Sequence, residues 1–234
     1  MDFTTSNCFA DKPITTLTFD CYGTLVDWER GACTALRKLL PLLPTHITDD
    51  ELIRSFLAAD TQLIESGVMP YAHVLKDAVK TVAALFVHSL DNDAADFFAA
   101  SLPSWPVFAE TNPTLIQLSR RYRLAIISNI DDYLIAETLK NLSVHFDVIT
   151  TSERANCYKP ARGIFVQALK ELGEPNDRII HVAEGLCEAR PARELGMGSI
   201  WVKRSARSDD GSGAVPDAQV GNLTELIQLL RSEG

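Results

Sequence analysis

Short runs of apolar and β-branched residues recur along the chain, each about the length of a buried strand. The first, Ile14-Thr15-Thr16-Leu17-Thr18-Phe19, stops at Asp20. Residues 124–127, 178–182 and 199–202 repeat the pattern much later, and 146–150 supplies one more strand. Helix-period segments fill the gaps and predict helices over 112–121, 131–141, 163–172 and 191–195. Strands and helices alternating at this length predict an α/β fold with a parallel sheet flanked by helices.

Between the first strand and the second that rhythm stops. Residues 28–107 hold no strand-like run and read as four helices, 29–40, 48–65, 71–87 and 92–100, punctuated by Pro41, Pro44, Pro70, Pro103 and Pro106. Thr48 followed by Asp49, Asp50 and Glu51 is a helix start, with a capping hydroxyl and acids in the first turn. A helical insertion after the first strand of an α/β sheet predicts a cap over the strand ends, where such folds bind ligands. The expected division is a core of residues 1–27 and 107–234 and an all-helical cap of residues 28–106. Residues 205–221, rich in Ser, Asp and Gly, predict a surface loop.

Composition narrows the partners. Of 234 residues 46% are hydrophobic, enough for a sizeable core, and 22 Lys and Arg stand against 31 Asp and Glu, a net charge of −9. The longest basic cluster, Arg120-Arg121-Tyr122-Arg123, sits at a predicted helix end, so no cationic stripe is available for nucleic acid or for an anionic membrane surface. No window approaches the roughly 18 uninterrupted apolar residues of a membrane span. Residues 1–12 carry Asp2 and Asp11 and lack a basic stretch ahead of an apolar one, so no secretory signal is read there. Five cysteines (Cys8, Cys21, Cys33, Cys157, Cys187), widely spaced and without a C-x-x-C pair, argue against a disulfide framework or a structural zinc site. The expectation is a cytoplasmic enzyme with reduced thiols.

The candidate chemistry begins at Phe19-Asp20-Cys21-Tyr22-Gly23-Thr24-Leu25-Val26-Asp27, a carboxylate at the end of a buried strand followed by a Gly-containing turn. Rigid backbone with amides nearby suits a nucleophilic carboxylate; the competing explanation is an ordinary turn, where Asp and Gly are common. Three further segments decide between them: Ile126-Ile127-Ser128-Asn129, Tyr158-Lys159-Pro160, and His181-Val182-Ala183-Glu184-Gly185-Leu186-Cys187-Glu188. Four ordered segments with a helical insertion between the first two resemble the haloacid dehalogenase superfamily, and within it the (S)-2-haloacid dehalogenase branch.

The resemblance implies a Rossmann-like parallel-sheet core with an inserted helical cap and a hydrolase acting through a covalent aspartyl ester. Asp20 would be the nucleophile, Lys159 its cation, and Glu188 the acid that orients or activates the hydrolytic water. Thr24 would hydrogen-bond the nucleophile, Ser128 and Asn129 would hold a substrate anion, and Cys21 would lend its backbone amide. Each has a plainer explanation: a solvated lysine for Lys159, and helix-terminus acids for Glu184 and Glu188. Position 22 selects the branch. Superfamily phosphatases carry a second Asp there to protonate a leaving alkoxide, whereas Tyr22 matches enzymes whose leaving group departs without a proton. The implied substrate is a small 2-substituted carboxylate, with no cofactor or metal required; the family is compatible with a homodimer.

Departures from the branch bear on the leaving group. A cap Arg that faces the departing halide corresponds to a place near Gln62, and no Arg occurs between Ser55 and Lys76. Ala183 and Gly185 replace a Ser and an Asn. A neutral Gln62 and an added Glu184 would suit a cationic ring nitrogen, as in the related hydrolase that opens azetidine-2-carboxylate, and Trp28 and Tyr22 would lie against such a cation or simply line the site. C–N ring opening and C–halogen hydrolysis both stay open, with a magnesium-dependent phosphatase and a non-catalytic binding descendant as alternatives. His73, His88 and His145 have no matched partner in the sequence, and His181 is expected to serve strand packing.

Overall fold

The computed structural model describes residues 9, 13–41, 43–86, 89–205 and 208–231; Cys8, His88 and, apart from Phe9, the N-terminal stretch lie outside them. The strands are β1 (Thr16–Phe19), β2 (Arg123–Ser128), β3 (Val148–Thr151), β4 (Ile179–Ala183), β5 (Gly198–Val202) and β6 (Ala218–Val220). They form one sheet in the order β3-β2-β1-β4-β5-β6, with every pair parallel. Phe19 sits opposite Ile126 on one side and Val182 on the other. The chain builds outward from β1 to β3, then returns to the other side of β1 for β4, β5 and β6. This is the Rossmann-like order, and its reversal between β1 and β4 is the place where open α/β sheets hold ligands. β1, β4 and β5 are buried along their whole length, as strands covered on both faces must be.

Helix α8 (Arg162–Leu172) shows what holds the sheet. Ile164, Phe165, Ala168 and Leu172 fall on one face and pack into a cluster with Ala125 and Ile127 of β2 and Ile179 of β4. Burying each large side chain contributes about 1.5–3 kcal/mol. The helix stops at Gly173, whose φ of +67° is the left-handed conformation that ends a helix and that glycine adopts without a steric penalty. Residues 205–221 are not wholly a loop: they end in β6, whose Gln219 and Val220 pair with Trp201 and Val202. Three residues with a polar centre carry too little pattern to mark a strand, and pairing with β5 makes it one.

The structure divides into two compact units: residues 1–26, 107–128 and 142–234, and residues 27–106 with 129–141. The second contains α1 (Trp28–Leu39), α2 (Asp49–Ser66), α3 (Tyr71–Phe86), α4 (Asn92–Ser101) and α6 (Asp132–Thr138). Thr48 caps α2 as predicted, and the Glu51 side chain in turn accepts from the Thr48 N–H. Trp28, Phe56, Phe98 and Trp105 follow one another, with ring centroids 6.4, 5.4 and 6.0 Å apart. Gly31 lets Trp105 approach: a Cβ there would lie 2.3 Å from the indole Cγ.

The segment 129–141, assigned to the core on sequence, groups with the helices for a specific reason. Asp131 does not cap its own helix α6; its carboxylate accepts from the backbone N–H of Tyr71 at 2.7 Å and of Ala72 at 2.8 Å, closing the start of α3. Asn141 adds a bond to the Pro103 carbonyl at 2.7 Å. Asp131→Ala is expected to lower stability by about 1–2 kcal/mol, read by urea denaturation, with amide exchange rising first at Tyr71 and Ala72. Unchanged protection at those two amides would contradict this account of α3.

Candidate active site

Asp20 follows the last residue of β1, and its N–H continues the sheet to the Val182 carbonyl at 3.0 Å. The chain then folds tightly: the N–H groups of Leu25 and Val26 both bond the Cys21 carbonyl, and Gly23 N–H bonds the Val26 carbonyl. Gly23 has φ +105°, which demands glycine. This turn returns Thr24 to Asp20, where its hydroxyl donates to Oδ2 at 2.8 Å and accepts from the Glu184 N–H at 2.8 Å. One hydroxyl thereby ties the loop after β1 to the loop after β4.

Lys159 arrives from the connection between α7 (Ser152–Ala155) and α8, and Glu188 from the short turn after β4. Lys159 Nζ lies 2.6 Å from Asp20 Oδ1 and 2.8 Å from Glu188 Oε2. All three side chains are buried, so the ammonium is the shared counter-charge of two carboxylates. Burial disfavours the charge on Lys159, but the two carboxylates outweigh it and raise its pKa. Burial would raise Glu188 as well, yet the charge of Lys159 and the hydrogen bond to His181 hold it below its ordinary value. At Asp20 burial prevails: with the like charge of Glu188, it lifts the carboxyl above its ordinary value against the pull of Lys159 and Thr24. The Cys21 thiol is pushed well up by burial and by Asp20, so it stays protonated.

His181 is not the packing residue expected from the strand pattern alone. Its ring meets the edge of Phe165 at 5.1 Å, but Nε2 lies 2.9 Å from Glu188 Oε2 and Nδ1 lies 2.9 Å from the Thr18 hydroxyl. The chain Thr18–His181–Glu188–Lys159–Asp20–Thr24 is continuous. Alternation in a strand buried on both faces hides such a residue.

Arg204 was also missed. Its guanidinium donates to the carbonyls of Gly23 and Thr24 at 3.1 and 2.7 Å and to Glu110 at 2.7 Å, and stacks 3.5 Å above Phe108. It clamps the turn that carries Thr24, and nothing in its sequence neighbourhood marks it.

Of the remaining expected site residues, Cys21 is buried and Tyr22 half-buried in the same turn, and Ser128 is buried at the end of β2. Glu184 is half-buried and engaged through its backbone, its carbonyl accepting from the Trp201 indole at 2.9 Å. Asn129 opens the segment that groups with the helical unit. Trp28 lies in the aromatic run of that unit, and Gln62 is exposed on α2.

A hard divalent cation wants several oxygens. Here an ammonium already lies against both carboxylates. Among the described residues no group of three or more His, Cys, Asp and Glu side chains is arranged to hold a metal. This donor set fits the lysine.

A carboxylate mounted at the switch point of a parallel sheet, with a buried lysine and a second carboxylate beside it, defines a class of α/β hydrolase. The family model for haloacid dehalogenase-like hydrolases matches residues 14–196, and the chain belongs to that family. It is 27% identical over 226 residues to the (S)-2-haloacid dehalogenase of Pseudomonas sp. (strain YL), covering 92% of this chain and 94% of that one. A solved L-2-haloacid dehalogenase shares the fold with a TM-score of 0.82 at 21% identity, over 93% of this chain and 99% of that one. The L-2-haloacid dehalogenase of Xanthobacter autotrophicus with chloropropionic acid covalently bound superposes with a TM-score of 0.78 at 17% identity, over 94% of this chain and 100% of that one. Among the described residues no helix is long and apolar enough to cross a membrane.

Lys159→Met leaves two buried carboxylates without their cation and is expected to cost about 3–5 kcal/mol near neutral pH. Without the ammonium both carboxyls titrate higher in the folded than in the unfolded protein, so the native state binds more protons and the deficit shrinks as pH falls. Urea denaturation at several pH values measures this; a deficit that grows on acidification would refute it.

Proposed function

We propose that this hydrolase displaces a leaving group from C2 of a small 2-substituted carboxylate through an ester of Asp20, with a 2-haloacid as the substrate class. The observation that carries this is the pairing of Asp20 with Lys159 at 2.6 Å at the end of β1, with Tyr22 two residues on. Such a carboxylate is an anchored nucleophile, and the turn offers no acidic group at position 22 to protonate a leaving oxygen. The full-length likeness to an (S)-2-haloacid dehalogenase supports the same substrate class.

A carboxylate oxygen of Asp20 forms the new bond to C2 while the C–halogen bond breaks and halide leaves with its electron pair. Water then attacks the Asp20 carboxyl carbon, with Glu188 taking its proton. The ester C–O bond breaks on the carbonyl side, the 2-hydroxy acid leaves, and the carboxylate is restored; one turnover releases halide and one proton. Cys21, Thr24, Ser128 and Asn129 serve substrate and nucleophile in this reading. A cytoplasmic setting agrees with the reduced thiols Cys21, Cys33, Cys157 and Cys187.

The absence of Arg between Ser55 and Lys76 favours a second leaving group, the ring nitrogen of azetidine-2-carboxylate, with Trp28, Gln62 and Glu184 as the tolerant residues. A panel of 2-haloacids and azetidine-2-carboxylate separates the two: halide release identifies the first, and 4-amino-2-hydroxybutyrate the second. Gln62→Arg is expected to favour haloacids over the cationic ring.

In a single turnover in ¹⁸O-labelled water the label is expected in Asp20, found by mass analysis of its peptide, and Asp20→Asn is expected to be inactive. Label entering product in the first turnover would exclude the ester, and turnover only with magnesium on a phosphate ester would replace this reading altogether. The pH profile is a separate test. Protonation removes the nucleophile, so kcat/KM is expected to fall toward acid with a midpoint above the ordinary carboxyl value of 3.8; a midpoint below it would contradict the burial of Asp20.

A further inference from the structure

We infer that His181 is a positioning residue for the hydrolytic step: together with Lys159 it holds Glu188 by one oxygen, so that the other, beside Gly185, is the base for the attacking water. The inference rests on the ester reading above and assigns roles within it to two residues, His181 and Gly185.

The argument starts from the two oxygens of Glu188. Lys159 Nζ at 2.8 Å and His181 Nε2 at 2.9 Å both address Oε2. An ionised carboxylate only accepts, so Nε2 carries the hydrogen, and Nδ1 lies 2.9 Å from the Thr18 hydroxyl. Phe165 meets the ring edge-on at 5.1 Å. Two N–H donors on one oxygen, one of them on a buried strand, fix the carboxylate plane.

The other oxygen, Oε1, points at Gly185. An added Cβ at that position would lie 2.9 Å from Oε1, closer than real Cβ contacts come. The backbone does not require glycine there, because Gly185 has φ −70° and ψ 108°, which any residue adopts. What glycine permits is this close approach of Oε1, which a side chain at position 185 would displace. Oε2 is engaged by two donors, so Oε1 is the better base. Lys159 also spans to Asp20 Oδ1 at 2.6 Å, so the same cation sets the separation between the base and the carboxyl carbon that water attacks.

The prediction is a split between the two chemical steps. With 2-chloropropionate, His181→Phe is expected to leave the burst of chloride release within about twofold of wild type. It is expected to slow hydrolysis of the Asp20 ester by about 10- to 100-fold, less than the loss of a general base itself. Rapid quenching followed by mass analysis should show the Asp20 adduct accumulating. His181→Gln, which restores an N–H toward Glu188, is expected to recover most of the rate, and Gly185→Ala to accumulate adduct as His181→Phe does. A packing role for His181 would instead depress both steps together and give no adduct. Parallel loss of both steps, or wild-type ester hydrolysis in both His181→Phe and Gly185→Ala, overturns the inference.

A readout without turnover keeps it separate from the proposed function. ¹⁵N NMR of the substrate-free protein should find His181 protonated at Nε2, and carboxyl ¹³C NMR should show Glu188 titrating higher in His181→Phe. If wild type forms no ester but these signals are as expected, the functional reading fails while the arrangement of His181 and Glu188 stands. A bare Nε2 overturns the arrangement whatever the substrate.

Discussion

One buried ammonium shared by two buried carboxylates is the constraint on which the rest of this site depends. Removing an ion from water costs several kcal/mol even after relaxation, and only close partners with good geometry offset that cost. Lys159 lies within hydrogen-bonding distance of Asp20 and Glu188, and each carboxylate has a further donor, Thr24 for one and His181 for the other. With a single cation for two anions, the carboxylates are driven apart in behaviour. Glu188 is held low by two donors, and Asp20 is lifted by burial. The same ammonium therefore meets two carboxylates in different surroundings.

That arrangement explains several features of the scaffold that have no local cause. Gly23 is bent into a positive φ so that Thr24 can face Asp20, and Arg204 donates to the Gly23 and Thr24 carbonyls of this bend. The Thr24 hydroxyl then fixes the loop after β4 through the Glu184 N–H. Phe165 from α8 packs on both the sheet cluster and the ring of His181, so core packing and site geometry are the same contact. Parallel strand order does the remaining work, since β1 and β4 are neighbours in the sheet although 159 residues separate Asp20 from Ile179.

Residues carried by local pattern were legible in advance. Asp20 stands out because an apolar run ends on a carboxylate, and the Thr48–Glu51 cap because its spacing is set by one helical turn. Lys159 and Glu188 were legible only through the order of four segments. Asp131, by contrast, reads as the start of its own helix while its carboxylate closes α3, because a capping group need only be near in space. The three residues of β6 look like loop until β5 supplies their hydrogen bonds. His181 sits in a strand where every residue is buried, so periodicity cannot distinguish a ring that packs from one that also bonds a carboxylate.

By itself the sequence determined the α/β alternation, the helical insertion, the carboxylate at the end of the first strand and the absence of an acid at position 22, since each is written in residue types at short spacing. The tertiary structure alone decided that segment 129–141 belongs with the helices, that Arg204 clamps the Thr24 turn, and that His181 stands behind Glu188. These depend on atoms brought together from distant parts of the chain, where hydrogen bonds and burial act over a few ångströms and sequence separation has no influence.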